Sequence, residues 1–160
     1  MAKEPTQLNA TPADFRQLSR IAKDIYLFEN LSISELDHIA ERINLWEYPK
    51  GSVICKQGEL GNQFFIIYKG WVEVITGRKI FRRGTELAQL GPGDVFGEMA
   101  LILERPRSAH VVACDRPVQL FTVGEDIFGY LLRTNEEFAD SVDRLAADRH
   151  MDNALRLSGD

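Results

Sequence analysis

A chain of 160 residues, 44% hydrophobic and 27% charged, has the composition of one ordinary globular domain with appendages, which excludes wholesale disorder, a collagen-like repeat and a disulfide scaffold. Its 19 basic against 24 acidic residues leave a net charge of -5, the wrong sign for a phosphate-backbone binder, so no direct DNA binding is expected. No run approaches the roughly 20 apolar residues of a bilayer span and Met1 to Asn9 carries no export pattern, so a cytoplasmic protein without a membrane partner is expected.

Met1 to Ala10 is polar and aperiodic and reads as a frayed arm. Thr11 followed by Pro12 is an N-cap with proline in the first helical position, and Phe15, Leu18, Ile21, Ala22 and Ile25 recur at threes and fours, predicting a helix to about Leu27. Ser32 with Glu35 three residues later forms a capping box, with a hydrophobic staple from Leu31 to Leu36, ahead of a second helix carrying Leu36, Ile39, Ala40 and Ile43.

Beyond Asn44 the pattern changes to short apolar runs divided by glycine and proline. Trp46 to Tyr48, Ser52 to Lys56, Gln63 to Tyr68, Trp71 to Ile75, Glu86 to Leu90, His110 to Ala113 and Gln119 to Val123 read as strands. Turn signals lie at Pro49 to Gly51, Gly58 to Asn62, Lys69 with Gly70, Gly91 to Asp94 and Asp115 to Pro117. Many short strands with glycine-rich turns predict an α+β, mainly β, fold built on an antiparallel barrel or jelly roll, which limits exposed sheet edges.

Helical spacing returns with Phe128 to Leu132, then Phe138, Val142, Leu145 and Ala146, with Asn135 as the cap between two helices. The second stripe is broken at Arg149 and Asp152, so the last helix is expected to change partner, bend or fray midway. Phe138, Val142 and Leu145 read most simply as a core-facing stripe.

The most informative stretch is Phe96 to Val111, FGEMALILERPRSAHV. Small residues Gly97, Ala100, Ser108 and Ala109 permit close backbone approach to a ligand, and a helical turn from Gly97 to Leu101 would aim free amides at an anion. Arg107 supplies a permanently charged, forked donor for phosphate oxygens, to which Ser108 can add a hydroxyl. An ionised Glu98 only accepts, which suits a sugar hydroxyl and repels phosphate. Together they describe a ribose phosphate held between one acid and one arginine around a shared hollow.

On these residues the chain resembles the cyclic-nucleotide-binding domain family, including its catabolite-activator and protein-kinase-regulatory-subunit branches. The family's phosphate-binding cassette reads F-G-E-(apolar)-A-L, a short spacer, then P-R-(small)-A, and Phe96 to Ala109 matches it without a gap. The resemblance extends over roughly Leu27 to Phe128 and implies a jelly roll followed by hinge and lid helices. It implies that Glu98 holds the ribose 2′-hydroxyl and Arg107 the cyclic phosphate, with Phe96, Gly97, Met99, Ala100, Ser108 and Ala109 around the ligand. Phe138, Val142, Arg144, Leu145 and Arg149 become candidates for the lid over the base. A serine after the cassette arginine resembles the bacterial cyclic-AMP-responsive activators, so cyclic AMP is the expected ligand, with cyclic GMP as the other candidate.

The expected organisation is therefore an arm and helix over 1–26, a nucleotide-binding domain over 27–134, and a lid helix and tail over 135–160. The expected function is a stand-alone cyclic-nucleotide receptor that signals by moving its C-terminal helices to an effector protein. With so few residues after Phe128, the output is another protein, a homodimer contact, or a portion beyond a fragment. The competing reading is a nucleotide-independent jelly-roll interaction scaffold in which Glu98 and Arg107 form a structural ion pair. The basic run Arg78, Lys79, Arg82 and Arg83 between Thr76 and Thr85 reads as a solvated face. His38, His110 and His150 lack metal-site spacing, and Cys55 and Cys114 read as free thiols. No catalytic triad or phosphate loop is present. Neither an enzyme nor a cofactor is expected.

Overall fold

Both N-terminal helices form where their caps stand. The computed structural model describes residues 4–76, 85–114 and 116–158, with backbone alone for 76, 85–87 and 148–158. In it α1 (Pro12–Lys23) is closed by a reciprocal box between Thr11 and Asp14, and α2 (Ile33–Arg42) by the same box between Ser32 and Glu35. Helix α1 stops short of the expected Leu27. Asp24 caps it, Ile25 turns extended, and a separate 3-10 turn over Tyr26–Phe28 buries Leu27 and Phe28.

Within the N-terminal arm, expected to be frayed, the described residues Thr6–Leu8 form β1, which pairs antiparallel with β2 (Asn44–Tyr48), Gln7 facing Trp46. Three residues without apolar alternation give no strand signal of their own; the free edge of β2 organises them. The chain continues as β3 (Val53–Cys55), β4 (Gln63–Lys69), β5 (Val72–Thr76), β6 (Thr85–Leu90), β7 (Val95–Phe96), α3 (Glu98–Ile102), β8 (His110–Ala113), β9 (Val118–Gly124), α4 (Glu125–Thr134) and α5 (Glu136–Ser158).

The strands form an antiparallel jelly roll of two sheets, ordered β1-β2-β9-β4-β7 and β3-β8-β5-β6. The run Phe64 to Ile67 lacks alternation because β4 is central to the first sheet and covered on both faces. Phe64 and Ile66 join the helices in one core, while Phe65 and Ile67 join Val72, Val111 and Leu120 between the sheets. Strand β7 was not expected; it is two residues long and is fixed by pairing Phe96 with Phe65. The basic residues Arg78, Lys79, Arg82 and Arg83, together with Asp115, lie outside the described residues.

The expected cap at Asn135 is present: its side-chain oxygen accepts from Phe138 N at 2.9 Å, while its amide nitrogen donates to Glu35 carboxylate oxygens at 3.1 Å and to Asn30 O. The corner between α4 and α5 is thereby tied to the start of α2. Helix α5 is continuous through the broken stripe; its side chains from 148 on, Arg149 and His150 included, lie outside the described residues. No described helix is long and apolar enough to cross a membrane.

Two of these capping carboxylates set an acid limit on stability. Asp14 sits below its ordinary value of 3.8, chiefly through the Thr11 backbone N–H and then the Tyr68 hydroxyl. For Glu35, burial pushes upward, but bonds from the Ser32 backbone and Asn135 outweigh it and hold the group below 4.5. A carboxyl with a depressed folded pKa stabilises above its unfolded value and loses that contribution as pH falls through the folded one. Asp14→Asn and Glu35→Gln are therefore expected to melt below the wild type at pH 7 and to converge with it near pH 2, as read by thermal denaturation across that range. A constant gap at every pH would contradict the assignment.

Candidate functional site

The cassette begins at the inner core. Phe96 is 5% exposed and stacks on Phe65 at 4.9 Å, so its ring anchors the cassette to β4. Gly97 follows with φ +83, a left-handed conformation that glycine adopts without strain, and caps α3. This short helix is the expected Gly97 to Leu101 turn, shifted by one residue. Ala100 and Ala109 are buried, Met99 is half-buried, and Ser108 is exposed.

Arg107 is the most constrained cassette side chain. Its Nη1 donates to Gly97 O at 2.9 Å and its Nη2 to Gln63 O at 2.8 Å, with the guanidinium carbon 5.7 Å from the centre of the Phe65 ring. The backbone is held equally closely. Gly58 N donates to Arg107 O at 2.8 Å, and Arg107 N donates to Glu59 O at 2.7 Å. The loop between β3 and β4, read from sequence only as a turn over Gly58 to Asn62, is thus the wall of the arginine site. The same loop reaches the hinge region, because Asn62 O accepts from Glu125 N at the start of α4.

Glu98 is half-buried and lines a cavity of about 280 Å³ with Asp24, Tyr26, Asp94 and Leu145. A groove of about 660 Å³ on the other flank of α3 is lined by Leu60, Gly61, Ala100, Leu101, Phe128 and Leu132 among others. Glu98 lines the first of these two spaces and Arg107 lines neither.

The lid candidates separate clearly. Phe138 is fully buried and meets Phe128 edge-on at 5.6 Å, and Val142 is 6% exposed in the same helical core. Both therefore occupy the core, as their stripe suggested. Arg144 is exposed, and Leu145 faces the Glu98 cavity, which brings α5 against the cassette.

Sequence reasoning missed three groups around Arg107: the Gln63 carbonyl, the Phe65 ring and Gly61. Backbone acceptors leave no trace in residue identity, and Gly61 was absorbed into a turn signal. Among the described residues no group of His, Cys, Asp and Glu could hold a metal ion. Cys55 and Cys114 are not joined in a disulfide, and burial pushes the Cys55 thiol up to about 11 despite the nearby Arg107 charge.

Comparison with known proteins agrees with this architecture. The chain is 35% identical over 149 residues to the cAMP-dependent protein kinase regulatory subunit of Mycosarcoma maydis, covering 84% of this chain and 28% of that one. It therefore spans little more than a quarter of that relative. The catabolite activator protein of Thermus thermophilus superposes with a TM-score of 0.69 at 30% identity, over 84% of this chain and 62% of that one. A cyclic nucleotide-binding domain from Methylobacillus flagellatus shares the fold, with a TM-score of 0.72 at 23% identity over 96% of this chain and 85% of that one. The model of the cyclic nucleotide-binding domain matches residues 45–135, more than half of the sequence including the whole cassette, and the chain belongs to that family.

Proposed function

We propose that this chain is a non-catalytic, cytoplasmic receptor for a cyclic purine nucleotide, cyclic AMP in preference to cyclic GMP, that passes its occupancy to an effector protein through α4 and α5. The observation that carries the reading is the state of Arg107 within an unbroken cassette. Two of the five N–H donors of its guanidinium are engaged by the Gln63 and Gly97 carbonyls, which fixes the fork before a ligand arrives; the rest of the fork is what a cyclic phosphate would meet. Ordering the arginine in advance lowers the entropy cost of binding. Ser108 and the amides around Gly97 would complete the phosphate site. Glu98 would take the ribose 2′-hydroxyl after turning from its present cavity.

Leu145 lines that same cavity, so movement of Glu98 bears directly on α5, and Asn62 ties the arginine loop to α4. A ligand shifts such an arrangement only by its differential affinity for the two conformations. The Gln63 and Gly97 carbonyls hold the guanidinium without a ligand, which favours a second reading, an interaction module that binds no nucleotide. Calorimetric titration with cyclic AMP, cyclic GMP and 5′-AMP decides between them. Receptor function predicts saturable heat for a cyclic nucleotide, with cyclic AMP the tighter, and none for 5′-AMP. Silence toward both cyclic nucleotides from folded protein would establish the module instead.

A further inference from the structure

The guanidinium of Arg107 lies in a slot walled by two glycines. A β-carbon on Gly97 would stand 2.5 Å from Nη1, and one on Gly61 would stand 2.5 Å from both Nε and Nη2 while overlapping Cζ. Phe65 closes a third side. The two glycines differ in an informative way. Gly97 needs its identity for its left-handed backbone in any case, whereas Gly61 is not among the glycines with positive φ, so an L-residue suits its backbone. What the chain gains from glycine at 61 is space, and the atoms filling that space belong to Arg107.

We infer that Gly61 is the positioning residue for Arg107: its missing side chain opens the slot in which the guanidinium is held, and thereby sets affinity for the cyclic phosphate. The inference rests on Arg107 being the phosphate ligand. The three atoms nearest to a methyl group at position 61 all belong to the far end of a long, flexible side chain, so the conflict is relieved by expelling the guanidinium and not by moving the backbone. The displaced arginine loses both carbonyl acceptors and its place over Phe65, and it meets a ligand as a mobile charge that must be ordered on binding. Fold stability is then nearly unchanged while ligand affinity falls. A glycine needed only for packing or turn formation would show the opposite pattern.

Two measurements on the full chain test this. In titration calorimetry with cyclic AMP, Gly61→Ala is expected to bind at least tenfold more weakly than wild type with its unliganded melting temperature within about 3 °C, a shift equivalent to roughly 1 kcal/mol. The double variant Gly61→Ala/Arg107→Ala should bind no more weakly than Arg107→Ala alone, since position 61 acts through the arginine. Affinity of Gly61→Ala within twofold of wild type, or full additivity in the double variant, overturns the inference. The second measurement needs no ligand. The Nε–H resonance of Arg107 in a nitrogen-15 spectrum should exchange slowly with solvent in wild type and rapidly in Gly61→Ala. Equal exchange in both overturns the positioning role, whereas wild type that binds neither cyclic nucleotide refutes the receptor reading and leaves the exchange comparison to decide the slot.

Discussion

Phe138→Ala is expected to lower stability by about 3–5 kcal/mol, the range for deleting a buried phenylalanine ring, and to lower the melting temperature by roughly 6–20 °C for a chain of this size. The size of the effect follows from where the ring sits. Phe28 meets Phe64 at 5.9 Å, Phe64 meets Phe128 at 6.4 Å and Phe128 meets Phe138 at 5.6 Å. These contacts run from the 3-10 turn through β4 to both C-terminal helices. Removing the last ring leaves a cavity against Phe128 and releases the first turn of α5, whose other anchors are Val142 and the partly buried Leu145. Phe138→Leu, which keeps most of the volume, should cost much less. The comparison also separates core from lid: a residue whose sole task was to cover a base would leave the unliganded melting temperature unchanged and weaken only binding. Differential scanning calorimetry without nucleotide reads the difference.

Arg107→Ala is expected to weaken cyclic nucleotide binding by about 100-fold, equivalent to about 2.7 kcal/mol, which lies in the range for a hydrogen-bonded charged group. The arginine is positioned by two carbonyls and an aromatic face in the unliganded chain, so its loss removes both charge and preorganisation. Thermal shift gives the parallel readout. At one hundred times the dissociation constant a ligand stabilises its receptor by about 2.7 kcal/mol, and at the same concentration nearly all of that increment should vanish in Arg107→Ala. An undiminished shift would place the anion site elsewhere. Arg107→Lys keeps the charge but not the planar fork that spans Gln63 O and Gly97 O, and should recover only part of the affinity.

What could be read from sequence was what side-chain identity encodes locally. Thr11 with Pro12, Ser32 with Glu35, and Asn135 announced their helix starts because a cap is a short-range event between a side chain and an amide a few residues on. The strands from Trp46 to Val123 were legible from β-branched and aromatic runs cut by glycine and proline. The cassette was legible as a contiguous motif. What escaped was settled at a distance. Strand β1 exists because β2 offers an edge, and β7 because Phe65 offers Phe96 a stacking partner. The carbonyls of Gln63 and Gly97 hold Arg107 across sequence separations of 44 and 10, and no residue type marks a backbone acceptor. Glu98 illustrates the same limit: the motif names the residue, while the packing of the 3-10 turn and α5 decides which space it lines.

On the proposed reading, Arg107 and Glu98 hold one cyclic nucleotide between them. A crystal structure of the chain grown with cyclic AMP tests it most directly. The cyclic phosphate is expected in hydrogen-bond contact with the Arg107 guanidinium, which stays in its slot beside Gly61, and the Glu98 carboxylate turned onto the ribose 2′-hydroxyl. Nucleotide bound away from Arg107, or Glu98 still lining its cavity with Tyr26 and Leu145 while the phosphate is bound, would contradict it.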